Sequence, residues 1–405
     1  MSDLVALREV RDAARLLDGV VRATPVDRPA FLQRIAGRPV LLKHEEQQRT
    51  GSFKVRGAYC HIARLPAPRR AGGVVAVSAG NHAQGVALSA SLLGADATIF
   101  MPDTAPLPKV EATRGYGAKV ELVAGGLVGA MRAAQQRAET TGADLVHPFD
   151  DRSVIAGQGT LGLELIEQAP DASTIVVPVG GGGLVSGIAT VFKSLRPDVR
   201  IVGVEAEGAT PMLAARQAGR PVELVRVQTI ADGIAVHHVS DLTLAHVDSL
   251  VDDVVTVTDE EIARAMLLLL ERRKAVVEPA GATSLAAVLA GCAGGDPNGP
   301  VLAVLSGGNV DGALLVRLIE HGLAAAGRYL VMRVALADRP GELARLLGLL
   351  AQLGLNIIDV EHHRTGLDLP IQQVQVRLTV ETRDPDHRNE VLAAVRAGGY
   401  LVDAG

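Results

Sequence analysis

The sequence predicts an α/β protein built on parallel sheets, followed by a small ferredoxin-like module. Three observations lead there. Short apolar runs alternate with helical segments from 70 to 146 and again from 144 to 325, the spacing of βα units. Several of these runs end in glycine-rich or small-residue turns, which is where α/β sheets bind ligands. After Ala326-Gly327 the pattern changes to βαββαβ, a unit of roughly 75 residues that fits a separate domain.

Residues 4–17 space their apolar positions as an amphipathic helix does. Thr24-Pro25 marks an extended segment, and 40–44 reads as a buried strand. The chain then passes through Gln48-Arg49-Thr50-Gly51-Ser52-Phe53-Lys54 into a helix, with Thr50 or Ser52 available as its N-cap. Strands follow at 74–77, 97–101 (stopped by Pro102) and 119–123, and helices at 81–93 (closed by Gly94), 109–114 and 126–140. The second run has a strand at 145–147, a helix from about 153, and strands at 174–179, 200–204 and 301–305. Thr258-Asp259-Glu260-Glu261 is a capping-box pattern before a helix at 260–273. The tail reads as strands at 329–336, 356–361, 371–380 and 400–402, with helices at 341–353 and 386–397.

Composition excludes several classes. The chain has 405 residues, 48% hydrophobic, room for two or three domains and a large core. A net charge of −5 with no long basic run argues against a nucleic-acid partner. Cys60 and Cys292 have no metal-type spacing, which points to a reducing compartment without a disulfide framework. Met1-Ser2-Asp3-Leu4 lacks the profile of a signal peptide, and the apolar run at 266–270 is too short to span a bilayer. A cytoplasmic location with no membrane partner is expected.

Four stretches carry chemistry. Lys54 falls at a helix start beside Phe53, where the helix dipole and burial both favour the free amine that Schiff-base chemistry needs. Pro178-Val179-Gly180-Gly181-Gly182-Gly183-Leu184 joins a buried strand to an apolar helix, so its amides suit a phosphate. It has neither the Lys-Ser/Thr of a Walker loop nor the glycine spacing of a dinucleotide fingerprint. In Ser78-Ala79-Gly80-Asn81-His82 a strand-to-helix turn offers hydrogen bonds to a carboxylate; Asn81 also suits an N-cap, and His82 a structural role. Ser306-Gly307-Gly308-Asn309 places a neutral hydroxyl at a strand end. An amine, a phosphate cup, a carboxylate turn and a hydroxyl are together what pyridoxal phosphate requires to act on an amino acid.

These stretches, with Glu278-Pro279-Ala280-Gly281-Ala282 and Ser306-Gly307-Gly308-Asn309-Val310-Asp311, closely resemble the threonine dehydratases (threonine ammonia-lyases) of the tryptophan-synthase-β group. The resemblance implies the two-subdomain PLP fold type II over 1–325, with a small subdomain at about 50–146 inserted in the large one. The tail at 328–405 resembles an ACT domain, with Asp338-Arg339-Pro340-Gly341-Glu342-Leu343 as its strand-to-helix turn. Carried over, the resemblance makes Lys54 both the cofactor-bearing lysine and the base. It packs Phe53 near the ring, bonds Asn81 to the cofactor hydroxyl, holds the phosphate on Gly180, Gly181, Gly182, Gly183 and Leu184, and faces Ser306 to the pyridine nitrogen. It sets Ser78, Asn81 and His82 around the substrate carboxylate.

The implied reaction is dehydration and deamination of L-threonine to 2-oxobutanoate and ammonia, with L-serine to pyruvate beside it. A hydroxyl at Ser306 leaves the ring a weaker electron sink than a carboxylate would, which favours prompt loss of the β-group. Serine racemase is the alternative; such racemases carry a serine at the position of Ala79, and alanine has no proton to give. A cysteine-synthase-like replacement fits the motifs around Lys54 and Ser306 less well. A catalytically silent amino-acid sensor is the alternative of another class. Relatives that bind a divalent ion use residues matching Glu205 and Ala209 and an acidic residue where this chain has Pro211, so the metal is open. The ACT domain implies regulation, with isoleucine or valine as effector, Asn356 as a candidate contact or a structural cap, and a homodimer or homotetramer.

Overall fold

The computed structural model describes residues 4–325, 327–364 and 372–404. Met1-Ser2-Asp3, the boundary residue Ala326 and the expected strand start at Ile371 lie outside the described residues. The chain forms two compact units, Met1–Asp311 and Gly312–Gly405.

Among the described residues the first unit holds ten strands: β1 (Val26–Asp27), β2 (Val40–His44), β3 (Val74–Val77), β4 (Ala97–Pro102), β5 (Lys119–Val123), β6 (Asp144–Leu145), β7 (Thr174–Pro178), β8 (Arg200–Ala206), β9 (Asp253–Val257) and β10 (Val301–Leu305). The larger sheet runs β1-β2-β10-β7-β8-β9, parallel except for β1. The smaller runs β5-β4-β3-β6 and is parallel throughout. Strands β2, β7 and β10 are buried at every position, as apolar runs require when both faces are covered; in β2 the buried Lys43 and His44 are satisfied by Glu164 and Gln168 and by Glu46 and Asp27. Ile175, Val177, Leu302 and Val304 of the larger sheet pack against Ile188 and Phe192 of the helix Gly183–Leu195. Val74, Ala76, Ile99 and Met101 of the smaller sheet pack against Val86 and Ala90 of the helix Asn81–Leu92.

The second unit begins with the helix Gly312–Ala325, which the expected catalytic span to 325 had grouped with the first. Its strands are β11 (Tyr329–Ala337), β12 (Ile357–His363), β13 (Gln373–Glu381) and β14 (Leu401–Ala404), in the antiparallel order β12-β13-β11-β14. The helices Glu342–Gln352 and Pro385–Ala397 complete βαββαβ. Alternation on β11 and β13 buries Leu330, Met332, Val334, Val376, Leu378 and Val380 with Leu346, Leu350, Val391 and Val395.

Differences from the sequence reading have local causes. Strand β6 stops at Leu145 rather than His147, because the Val146 carbonyl accepts from the His82 ring and Pro148 lacks an N–H. The capping box at Thr258 and Glu261 forms, but its α-helix ends at Leu268 and one π turn, Leu269–Arg273, closes it before Lys274 at φ 60°. Strand β9 and the helices Pro211–Ala218 and Asp241–Leu250 went unread; β9 is an edge strand with weak alternation.

Candidate active site

Five chain segments leave the carboxyl ends of parallel strands and meet. The turn after β10 docks on the turn before the Lys54 helix: Phe53 N donates to Ser306 O at 3.2 Å, and Gly308 N to Gly51 O at 2.8 Å. Lys54 is thereby delivered beside Ser306. The loop after β7 carries the glycines, the turn after β3 leads to Asn81, and the segment after β6 brings Pro148 and Phe149. They border a common cleft. Of the expected residues, Phe53, Lys54, Asn81, Gly180, Gly181, Gly182, Gly183, Leu184 and Ser306 line it; Phe149, Gly233, Ile234, Glu278 and Ala280 line it too.

Lys54 opens the helix Lys54–Arg64. The expected cap is corrected: Phe53 is the N-cap and no side chain caps the turn. The hydroxyls of Thr50 and Ser52 are buried with no hydrogen-bond partner among the described residues. Lys54 Nζ donates to Pro148 O at 3.1 Å and lies 5.2 Å from the centre of the Phe53 ring. Burial pulls its pKa down to about 8, against the attraction of Glu278. The amine is thus far more readily neutral than an ordinary lysine.

Glu278 faces the same cleft, buried, and burial raises its pKa to about 7, helped by Asp232 and opposed by Asn81, Lys109 and Lys54. Asn81 Nδ2 donates to Glu278 Oε1 at 2.5 Å, and Asn81 Oδ1 accepts from Asn309 Nδ2 at 2.7 Å. Gly80, not Asn81, is the N-cap of the Asn81–Leu92 helix, which frees the Asn81 amide for these bonds.

The glycine loop is a cradle that side chains would fill. A Cβ on Gly181 would lie 2.1 Å from the Phe149 ring, and Gly182, the N-cap of the Gly183–Leu195 helix, has φ 90°. The amides of that first helical turn have no intrahelical acceptor and face a position suited to an anion. With a free-amine lysine beside this cradle and two unpartnered hydroxyls in the adjoining turn, the residues present fit pyridoxal phosphate.

Ser78 and His82 do not line the cleft. The Ser78 hydroxyl accepts from Gly80 N at 3.0 Å within its own turn. His82 Nε2 donates to Val146 O at 2.8 Å, and burial and the Lys54 charge push its pKa down to about 3. A neutral ring with its one N–H so engaged has no ring donor left for a carboxylate. Glu205 caps the Pro211–Ala218 helix, accepting from Met212 N at 2.8 Å and Leu213 N at 3.0 Å, and burial raises its pKa to about 7. Among the described residues no cluster of His, Cys, Asp and Glu is arranged to hold a metal ion.

Glu278 and Asn309 stood inside quoted motifs without assigned roles; their hydrogen bonds to Asn81 span 197 and 228 residues, a distance local pattern cannot register. Phe149 comes from an irregular loop and Gly233 and Ile234 from a short 3-10 turn, Asp232–Ile234; the close approach of Gly181 and Gly183 to Phe149 gives that ring its place.

The model of the pyridoxal-phosphate dependent enzymes matches residues 17–307. The chain belongs to this family. The ACT domain model matches 331–397, within the second unit. Over 400 residues, 98% of this chain and 99% of the relative, the chain is 45% identical to an L-threonine ammonia-lyase of Thermotoga maritima. Among solved structures it resembles a threonine deaminase isoform of Solanum lycopersicum (TM-score 0.74, 35% identity, 78% of this chain and 95% of that one). It equally resembles maize serine racemase (TM-score 0.75, 36% identity, 80% and 99%). This PLP-dependent enzyme therefore pairs a type II catalytic fold with an ACT domain. No helix among the described residues is long and apolar enough to cross a membrane.

Proposed function

We propose that this enzyme is a threonine ammonia-lyase that converts L-threonine to 2-oxobutanoate and ammonia, and L-serine to pyruvate. The observation that carries the reading is the Lys54 amine, its pKa lowered to about 8, in one cleft with the glycine cradle and the Ser306 hydroxyl. Near full-length similarity to L-threonine ammonia-lyases supports the substrate.

When bound, pyridoxal phosphate supplies an aldehyde that takes the substrate amine and a ring that stabilises negative charge at Cα. Gly180, Gly181, Gly182, Gly183 and Leu184 would hold its phosphate, Ser306 would face its ring nitrogen and Asn81 its phenolic oxygen. Lys54, the amine in the cleft, would hold its aldehyde. As a free amine Lys54 Nζ would take the Cα proton, and the Pro148 carbonyl would steady the ammonium so formed. The proton taken from Cα passes to the β-hydroxyl, which leaves as water and restores the Lys54 amine, and the released enamine becomes its imine and hydrolyses to the oxo acid and ammonia. The first-turn amides of the Asn81–Leu92 helix receive the substrate carboxylate; Ser78, accepting from Gly80 N, and His82 stiffen that turn from behind. Ala79 offers no proton to the opposite face, which disfavours racemisation.

Residues 1–325 act as the catalytic part and 328–405 as the regulatory one, in a cytosolic homodimer or homotetramer. Isoleucine or valine is the proposed effector. A hollow at the turn after β11, lined by Asp338, Arg339, Gly341, Glu342, His362 and Arg364, suits an amino acid better than Asn356, whose amide donates to Glu381 at 3.1 Å. The test is release of oxo acid from L-threonine and L-serine by the holoenzyme, with isoleucine then added. Faster release from threonine, falling with isoleucine, is expected; no oxo acid from either substrate overturns the reading.

A further inference from the structure

The orientation of the Asn81 amide is not decided by the cleft. Asn309 Nδ2 lies 2.7 Å from two oxygens, the main-chain carbonyl of Thr50 and Asn81 Oδ1. A main-chain carbonyl only accepts, so the Asn309 atom facing Thr50 O must be the nitrogen. That same nitrogen meets Asn81, so the Asn81 atom facing it must be the oxygen. The Asn81 nitrogen is therefore turned the other way, to Glu278 Oε1 at 2.5 Å. An amide nitrogen has two N–H groups. One goes to Glu278, and the second is left for whatever occupies the cleft that Asn81 lines.

Glu278 does not fix this polarity by itself. With its pKa near 7 it is a carboxylic acid part of the time, and an acid accepts an amide that offers either end. Only Asn309, anchored on Thr50, excludes the flipped amide. The backbone is shaped to admit the chain of bonds: a Cβ on Gly307 would lie 2.3 Å from Glu278 Oε1 and 3.1 Å from Asn81 Nδ2.

We infer that Asn309 is a positioning residue, which through Asn81 presents an N–H rather than a carbonyl to the cofactor's phenolic oxygen. This rests on the proposed placement of that oxygen at Asn81. An N–H there favours the phenolate and the tautomer with its proton on the imine nitrogen. A carbonyl favours the protonated phenol.

The test is the absorption spectrum of the lysine-bound cofactor, titrated with pH, in wild type, Asn309→Asp, Asn309→Ala and Asn81→Ala. In Asn309→Asp the two carboxylate oxygens demand the Asn81 N–H, so the amide flips. The band of the protonated phenol then grows at the expense of the phenolate band, and the spectral transition moves by about one pH unit or more. Asn309→Ala frees the amide without adding charge and is expected to move the same way by less; it serves where Asn309→Asp does not fold. A role confined to packing lowers the melting temperature and leaves the band ratio of both variants at the wild-type value, and that result overturns the inference. If Asn81→Ala shifts the spectrum while neither Asn309 variant does, the placement of the phenol stands and the inference alone fails. If Asn81→Ala also leaves the spectrum unchanged, the placement fails and the inference with it.

Discussion

A carboxyl and an amine share the cleft, and each is pulled toward its neutral form. For Glu278 the folded-state pKa of about 7 stands above its ordinary 4.5, so between these values the folded protein holds more protons than the unfolded chain. Stability therefore falls as pH rises from about 4.5 through about 7, by up to about 3 kcal/mol for a fully buried group. For Lys54 the folded-state value lies below the ordinary 10.5, so its cost is present below about pH 8 and disappears as pH rises toward 10.5, a separate window. Glu278→Gln keeps an acceptor for Asn81 and removes the charge. Melting of the cofactor-free protein is expected to favour the variant increasingly from pH 4.5 to 7; parallel curves for wild type and variant contradict this account of Glu278. The Lys54 environment was half legible in the sequence, since Phe53 and the helix start stand next to it. Glu278, 224 positions away, was visible only as part of a motif and carried no sign of its charge state.

Turns at the ends of β7, β3 and β10 were legible because turn chemistry is local: a glycine run, or Ser-Gly-Gly-Asn after a buried apolar strand, announces itself. What closes over them was not. Phe149 reaches Gly181 from the loop after β6, and the fit between ring and backbone leaves no room for a methyl group. Gly181→Ala is expected to cost about 1–3 kcal/mol by overpacking and to weaken pyridoxal phosphate binding by 10-fold or more, as Phe149 or the loop shifts. Titration of the apoprotein with the cofactor and thermal melting measure the two effects; wild-type values for both contradict the cradle. The cap of the Lys54 helix fell outside pattern reading for a similar reason. Thr50 and Ser52 have the right chemistry for an N-cap, but the docking of Gly51 and Phe53 on the turn after β10 fixes the backbone so that neither hydroxyl is used.

Joined in one chain are a unit whose parallel sheets aim their carboxyl ends at a lysine, and a unit whose antiparallel sheet is covered by two helices and carries a hollow at its first turn. Strict alternation on β11 and β13 made the second unit readable from sequence, whereas the helix Gly312–Ala325 lies at the boundary and its pattern gave no sign of which unit it belongs to. The central claim is that the chemistry runs through Lys54. The most direct measurement is 2-oxobutanoate release from L-threonine by wild type and Lys54→Ala, each saturated with pyridoxal phosphate. The account predicts release by wild type and a loss of about 10³-fold or more in the variant. Release by the variant within about 10-fold of wild type would place the base elsewhere and contradict it.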